Sequence, residues 1–294
     1  MKKPFLGSQD TDNKLNRLRQ YLQQYSVALK NQQFARIYID AFAGTGSKTE
    51  IRAALPLFDG GDAEPQEIDT PGSARIAISI EPAFDTIVLI EEDADRFAEL
   101  QKLRDQYPDR KIALKNGDAN ANVRRLCEGV PWHKAQEGIR GMRGVVFLDP
   151  FGMEVEWGTV EAIAKTRALD CWYFFPLSGL YRNAPHDPLR LDAHKERSLD
   201  RVLGATDWRT RWYEHPVERD MFESEVQATR RADVDAIENY VKERLESVFK
   251  GVVMKPYRLR HNGGAPMASL FFAVSNPSPA AVGLAQRMAS YILR

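Results

Sequence analysis

The chain has 294 residues, of which 43% are apolar and 28% are charged, a composition typical of a folded globular protein and not of a disordered or collagen-like one. No stretch approaches the ~18–20 consecutive apolar residues of a membrane helix, and no apolar run follows the first basic residues, so we expect neither a membrane span nor a signal peptide. The only two cysteines, Cys127 and Cys171, predict buried free thiols and a reducing cytoplasm. The five histidines lack metal-binding spacing, so we expect no metal site.

Basic and acidic side chains balance at 41 each, but they are unevenly distributed along the chain. From Asp59 to Asp95 there are eleven acidic residues and one basic residue, whereas residues 247–294 contain six basic residues and no acidic ones. The overall balance argues against a protein whose whole surface binds nucleic acid. The basic end leaves room for a local contact with an anion, and a solvated charged surface is an equal alternative.

Apolar spacing predicts an N-terminal helix over residues 11–31. Further helices are predicted at 72–80, 94–106, 120–127 and 159–165, and they alternate with short apolar runs at 37–39, 86–90, 111–115, 145–148 and 171–175. Because these runs are continuous, they are typical of parallel strands buried on both faces, and we predict an α/β sheet with right-handed crossovers. Residues 48–71 are rich in Pro, Gly and acids and predict a loop insertion.

The pattern changes after the fifth strand. Residues 178–216 predict a helical insertion with short helices at 191–203 and 208–213, and a long helix is predicted over 218–249. Residues 252–260 and 268–274 predict two paired strands around the turn sequence Asn262-Gly263-Gly264, and Ser278-Pro279 predicts the start of a last helix. The expected organisation is an N-terminal helix (1–32), a core (33–275) and a C-terminal helix (276–294).

An acidic residue in a polar turn follows each of the first four strands. The four turns are Asp40-x-Phe42-x-Gly44-x-Gly46, Glu91-Glu92-Asp93, Gly117-Asp118-Ala119 and Asp149-Pro150-Phe151-Gly152. Ligands of doubly wound sheets bind at the carboxyl ends of the strands, so these turns predict a nucleoside cofactor lying across the sheet. The alternative is that glycine-rich turns and capping acids only start the helices.

Each turn has an expected role in that cofactor site. Glycine at positions 44 and 46 lets the backbone approach a ligand closely. We expect Glu91 to accept hydrogen bonds from the ribose hydroxyls. We expect Asp118 and Ala119 to face the adenine.

The chemistry of the first turn favours one cofactor over the others. A third glycine is missing at Thr49 and no P-loop sequence occurs, which disfavours a nicotinamide dinucleotide and a nucleoside triphosphate. A carboxylate such as Asp40 attracts the cationic amino-acid end of S-adenosylmethionine but repels a pyrophosphate. We therefore predict S-adenosylmethionine, with Asp40 and Phe42 on its methionine side.

These residues resemble the class I S-adenosylmethionine-dependent methyltransferases. More closely, the strings YIDAFAGTGS, GSARIAI, LIEED, GDAN, FLDPFGMEVEW and FFP are similar to the three-Cys-motif partner protein family over residues 34–177. The resemblance implies a Rossmann-like α/β fold with a mostly parallel seven-stranded sheet that ends in an antiparallel hairpin. It also implies a partner protein that carries three cysteines and is similar to radical-SAM proteins.

The fourth turn is the expected acceptor side. Amino methyltransferases use (Asp/Asn)-Pro-Pro-(Tyr/Phe) there, and Asp149-Pro150-Phe151-Gly152 departs from that pattern while resembling the turn of tRNA guanine-N2 methyltransferases. The resemblance implies that Asp149 and Pro150 orient an exocyclic amine of a DNA or RNA base and that Phe151 stacks on the base. Two alternatives stay open: Phe151 packs into the sheet, or the protein is a non-catalytic cofactor-binding subunit of the three-cysteine partner.

Overall fold

The computed structural model describes residues 9–52, 66–135, 138–213, 229–253, 255–260, 264 and 266–294. The strands are β1 (Ala35–Asp40), β2 (Ser47–Arg52), β3 (Gln66–Pro71), β4 (Thr86–Glu91), β5 (Ile112–Asn116), β6 (Met142–Leu148), β7 (Leu169–Phe175), β8 (Gly251–Val252), β9 (Tyr257–Arg260) and β10 (Pro266–Val274). The helices are α1 (Gln9–Leu29), α2 (Ser73–Ile78), α3 (Ala94–Asp105), α4 (Ala119–Gly129), α5 (Trp157–Lys165), α6 (Leu177–Asn183), α7 (Ala193–Leu203), α8 (Trp208–Trp212), α9 (Val234–Glu246) and α10 (Pro279–Ile292).

The main sheet has the strand order β5-β4-β1-β6-β7-β10-β8, and β9 also pairs with β10. Strands β5, β4, β1, β6 and β7 are parallel, and β10 is antiparallel to β7, β8 and β9. The chain moves outward from β1 in one direction through β4 and β5 and in the other through β6 and β7. The topological switch point therefore lies between β1 and β6, as the predicted fold requires.

The predicted terminal hairpin is confirmed as β9 and β10, with its turn at 261–263 outside the described residues. The structure describes eight strands in this sheet where seven were predicted. The difference arises because β8 and β9 both pair along β10 and together fill the single edge position expected for residues 252–260.

Side chains alternate between two cores on opposite faces of the sheet. Ile37, Ile39, Val146 and Leu148 join one core, which also contains residues of α4, α5, α7 and α9. Tyr38, Val145, Phe147 and Trp172 join the other, which contains residues of α1, α2, α3 and α10. Both faces are buried, which is why the strands appear in the sequence as continuous apolar runs.

Two expectations about local structure were wrong. Part of the expected loop at 48–71 forms β2 and β3, which pair in antiparallel register from Ser47–Pro71 to Arg52–Gln66. The helix predicted over 218–249 is described only as α9, because Asp233 accepts a hydrogen bond from the Ala236 amide at 2.8 Å and so caps the helix start there. Residues 214–228 lie outside the described residues.

The predicted helical insertion at 178–216 includes most of α6, a 3-10 turn at Pro188–Arg190, α7 and α8. Cys127 in α4 and Cys171 in β7 are free and buried. Over the residues that the structure describes, no helix is long and apolar enough to cross a membrane. Within the same residues, no group of three or more His, Cys, Asp or Glu side chains is arranged to hold a metal ion.

A buried acid anchors α1 to the amino end of β7. The Tyr21 hydroxyl donates to Asp170 Oδ2 at 2.6 Å, and the Tyr21 ring packs edge-on against Trp172 with a centroid separation of 5.2 Å. Burial raises the pKa of the Asp170 carboxyl from 3.8 to about 7, against the hydrogen bond from Tyr21 and the charge of Arg143, which lower it.

This pKa predicts how stability changes with pH. Because the folded-state pKa of Asp170 is raised, the folded protein holds a proton that the unfolded chain has released, and stability is lost as pH rises from about 4 to about 7. The loss is on the order of 4 kcal/mol at ~1.4 kcal/mol per pKa unit. Asp170→Asn cannot ionise, so urea unfolding across this pH range should show the variant gaining stability relative to the wild type. A constant difference between the two proteins would contradict the prediction.

Candidate cofactor and acceptor site

The four predicted turns lie together where the strands end, because β1, β4, β5 and β6 are parallel neighbours. This side of the sheet, formed by the carboxyl ends of the strands, is the edge that carries the site. A cavity of about 230 Å³ opens at this edge. Of the residues expected in the site, its described lining includes Phe42, Glu91, Asp118, Ala119 and Phe151. It does not include Asp40, Gly44, Gly46, Asp149 or Pro150.

Glu91 ends β4 with a carboxylate that is only 5% exposed. Its Oε2 accepts from the Gly44 amide at 2.9 Å, and its Oε1 accepts from the Asp93 amide at 2.9 Å. Arg96 Nη2 lies 3.2 Å from the same Oε1. The two amides are fixed by the backbone, so the Arg96 guanidinium is the donor that a ligand hydroxyl can replace.

Asp118 performs the capping role that the alternative interpretation gave it. Its Oδ1 accepts from the Ala121 amide at 2.7 Å and so starts α4. The second oxygen has no hydrogen-bond partner within the described part of the chain, and the residue is exposed at the cavity wall. Capping the helix therefore leaves one acceptor oxygen of a cavity-lining residue available to a ligand.

Asp40 differs from the expectation. Its carboxylate is fully buried and accepts from the Tyr38 hydroxyl at 3.1 Å and from the Phe42 amide at 3.3 Å. Burial raises the pKa of the Asp40 carboxyl to about 6, and the nearby charge of Asp149 adds to this effect. Because the Asp40 side chain is buried and is not among the residues that line the cavity, its attraction for a cationic ligand stays a prediction.

Gly44 and Gly46 in the first turn differ in what surrounds them. Both have positive φ, +61° at Gly44 and +77° at Gly46. A Cβ on Gly46 would lie 2.5 Å from Leu103 Cδ2, so packing against α3 requires this glycine. No atom of the residues that the structure describes lies within 4 Å of a Cβ placed on Gly44, which leaves open space beside the turn.

Asp149 is bound by a lysine that the sequence analysis did not find. Lys14 Nζ in α1 donates to Oδ1 at 2.8 Å and to Oδ2 at 2.6 Å, and it lies 4.2 Å from the centroid of the Phe174 ring. The side chains are 8% and 22% exposed. A signal was present in the sequence, because Lys14 stands four residues before Leu18 on the buried stripe of α1.

Phe151 does not pack into the sheet. Its side chain is 76% exposed, and the Arg96 guanidinium lies 4.9 Å from the ring centroid. The preceding Pro150 is buried. An aromatic ring held in solvent beside the cavity presents a face on which a flat ligand can stack.

Asn120 fixes the segment that carries this ring. Its amide donates to the Glu154 carbonyl at 2.9 Å, and its Oδ1 accepts from the Glu156 amide at 2.9 Å and the Thr159 hydroxyl at 2.8 Å. Arg201 in α7 donates to the Met153 carbonyl at 2.8 Å. No sequence pattern indicates a role for these two residues, because their partners are 34 to 48 positions away.

Several solved structures are similar to this chain. A Legionella pneumophila protein of the DUF519 family aligns with 94% of this chain and 91% of its own, with a TM-score of 0.50 and 13% identity. A spermidine synthase in complex with the transition-state analogue AdoDATO aligns with 93% of this chain and 62% of its own (TM-score 0.41, 11% identity). An S-adenosylmethionine-dependent methyltransferase from Clostridium acetobutylicum aligns over 88% and 91% (TM-score 0.37, 11% identity).

No protein-family model and no curated protein matches the sequence. Structural likeness at such low identity establishes the fold and not the activity. Together with the strand order, the likeness to the Legionella protein shows a Rossmann-like, mostly parallel α/β fold.

The Lys14–Asp149 pair makes a testable contribution to stability. Lys14→Met leaves a partly buried carboxylate unpaired, and we expect a loss of about 2 to 3 kcal/mol, below the ~3–5 kcal/mol of fully buried pairs. A double-mutant cycle with Asp149→Asn, followed by urea unfolding, should give an interaction energy of about 1 to 3 kcal/mol.

The exposed pair Lys102–Glu99 in α3 is the matched control for this cycle. Lys102→Met and Glu99→Gln should couple by about 0.5 kcal/mol or less. Equal coupling energies in the two cycles would show that the pair at Asp149 is an ordinary surface ion pair.

Proposed function

We propose that the protein is an S-adenosylmethionine-dependent methyltransferase that acts on an exocyclic amine of a nucleic-acid base. The exposed ring of Phe151 carries this proposal, because it stands beside the cavity and two positions after Asp149. An aromatic ring and a carboxylate on one turn are the groups needed to stack a base and to accept its amine hydrogens.

The cavity residues fit the cofactor by their chemistry. Glu91 would accept from the ribose hydroxyls, and Asp118 with Ala119 would contact the adenine, while Asp40, Phe42, Gly44 and Gly46 are the candidates for the methionine side. The bound cofactor supplies a methyl group activated by its sulfonium charge. The present cavity of about 230 Å³ is smaller than the ~300–1,000 Å³ of most ligand pockets, and in this proposal Arg96 leaves Glu91 when the cofactor binds.

On the acceptor side, the chain positions the amine. Each Asp149 oxygen has lone pairs beyond the one that accepts from Lys14, so the carboxylate can hold the amine while Lys14 fixes its orientation. The Pro150 carbonyl is the second acceptor in this proposal. Orienting the nitrogen lone pair toward the methyl group supplies most of the acceleration.

A second candidate function is a non-catalytic, cofactor-binding subunit of a three-cysteine partner protein similar to radical-SAM proteins. The observation in its favour is that Lys14 already binds both oxygens of Asp149 and Arg96 already binds Glu91. In either case we place the protein in the reducing cytoplasm, where its two buried thiols remain free.

Glu91→Ala should weaken the binding of S-adenosylhomocysteine by about 2 to 4 kcal/mol, because two charge-assisted hydrogen bonds to the ribose are lost. Isothermal calorimetry on the folded variant measures the effect, with the exposed Glu128→Ala as a charge-matched control that should stay within about threefold of the wild type. An unchanged dissociation constant for Glu91→Ala would assign the ribose to another residue.

Phe151→Ala should leave the affinity for S-adenosylhomocysteine within about threefold but lower methyl transfer by about 5- to 150-fold, the effect of ~1–3 kcal/mol of base stacking. Transfer of labelled methyl groups to bulk RNA and DNA is the measurement. Leu189→Ala removes a side chain of similar exposure (85%) outside the cavity lining and serves as the control. Normal transfer by Phe151→Ala would contradict the stacking role, and a wild type that methylates neither nucleic acid would favour the partner-subunit function.

A further inference from the structure

A second, larger opening lies beside α9, β9 and the end of α10. This groove of about 650 Å³ is lined by basic residues that belong to α9 and β9 or lie next to β9 and α10. The basic residues are Lys242, Lys255, Arg258, Arg260 and Arg294, and the acidic residues are Asp235 and Glu238.

The groove has an excess of positive charge because five basic side chains line it against two acids. Both acids pair with Arg258, and Lys242 pairs with Glu246 at 3.4 Å. Arg258 Nε donates to Glu238 Oε1 at 2.9 Å, and Arg258 Nη2 donates to Asp235 Oδ1 at 2.5 Å and to Glu238 Oε2. Within the described residues, neither Lys255 nor Arg260 has a carboxylate partner. Among the described residues, Arg260 donates to the Gly264 carbonyl, at 3.1 Å. These two cations are free to bind an anion from solvent.

Strand register places the groove at the same edge as the candidate site. Tyr257 pairs with Leu270, which pairs with Phe174 near the carboxyl end of β7. From β9 to β6 there are three strand spacings of ~4.8 Å, so the groove lies about 14 Å along this edge from Asp149. That distance is the length of about four stacked nucleotides at ~3.4 Å each.

Helix α1 contacts both Asp149 and a residue that lines the groove. Lys14 binds Asp149, and the Arg17 guanidinium, one turn later on the same face, lies 3.5 Å from the centroid of Tyr257, a lining residue of the groove. Arg17 Nε is buried and has no hydrogen-bond partner in the part of the chain that the structure describes. Basic side chains thus extend from the acceptor turn to the groove.

We infer that this groove binds the sugar–phosphate backbone of a nucleic acid at about four nucleotides from the base that reaches Phe151, with Lys255 and Arg260 contacting the phosphates. The inference rests on the proposed function, because it names the surface that would hold the acceptor polymer. The spacing along the edge and the two free cations support a regular polyanion as the ligand.

The experiment compares two double variants that remove the same charges. Lys255→Gln/Arg260→Gln changes the groove, and Lys111→Gln/Arg125→Gln removes one exposed lysine and one exposed arginine outside it. Fluorescence anisotropy measures binding of a labelled 20-nucleotide RNA, the matching single-stranded DNA and the duplex over a range of salt concentrations. Unlabelled polyglutamate is the competitor that tests whether any polyanion suffices.

For a single strand, each phosphate contact contributes about 0.7 to the slope of log K against log salt. The groove variant should therefore lose about 1.4 in slope and bind about 25-fold more weakly at ~0.1 M salt. The control variant should stay within about threefold of the wild type. The nucleic acid that shows this difference identifies the class of acceptor polymer.

Three results would overturn the inference: equal binding by the two variants, no binding of any of the three nucleic acids by the wild type, or competition by polyglutamate at the same charge concentration. Calorimetry with S-adenosylhomocysteine on the same proteins separates these outcomes from the proposed function. If the cofactor binds while the groove fails the test, the methyltransferase proposal stands with another acceptor. If the groove binds nucleic acid and the cofactor does not bind, the groove stands and the methyltransferase proposal fails.

Discussion

Glu91 ends the second strand of the parallel sheet with a carboxylate that two backbone amides and one guanidinium share. The amides belong to Gly44, in the turn after β1, and to Asp93, at the start of α3. Losing this acceptor would leave both amides short of a partner at about 1–3 kcal/mol each when buried. The carboxylate therefore holds the first two turns of the edge in place, and the cavity between them depends on it.

Arg96 joins the two halves of the site. Its guanidinium lies 3.2 Å from Glu91 Oε1 and 4.9 Å from the centroid of the Phe151 ring. Under the proposed function, the first contact is on the cofactor side and the second on the acceptor side. Because one side chain makes both contacts, a change of its position at Glu91 would also affect its position at Phe151.

The sequence predicted best those elements whose signal is local. Continuous apolar runs gave the five parallel strands because both sheet faces are buried, and the stripe of Leu18 and Tyr21 gave α1. Strands β2 and β3 were missed because the composition of residues 48–71, rich in Pro, Gly and acids, is that of a loop. The start of α9 was misplaced because the cap at Asp233 interrupts a longer helical pattern.

The sequence predicted which turns form the candidate site but not which side chains contact one another there. Acidic residues at four strand ends located the edge, since parallel strands bring their carboxyl ends together. The sequence could not pair Lys14 with Asp149, 135 positions away, or place Arg96 between Glu91 and Phe151. It also left open whether Phe151 packs or stands in solvent, because that depends on how Asn120 and Arg201 fix the following segment.

The net charge of the chain is zero, but acidic and basic side chains are separated along this edge of the sheet. Acids outnumber bases in the cavity lining, where Glu91, Glu92 and Asp118 stand with Glu154 and Glu156, whereas cations prevail in the groove beside β9. The groove lies about 14 Å from Asp149, and the strand order places Glu91 two strands farther from it. Both separations exceed the ~8 Å over which charges act at physiological salt, so the two fields are largely independent. A polyanion drawn to the groove is therefore not repelled there by the acids of the cavity. Lys14 and Arg17 of α1 lie between the two regions, but Lys14 is buried in its ion pair with Asp149. The positive charge that a polyanion can reach from solvent is therefore concentrated in the groove.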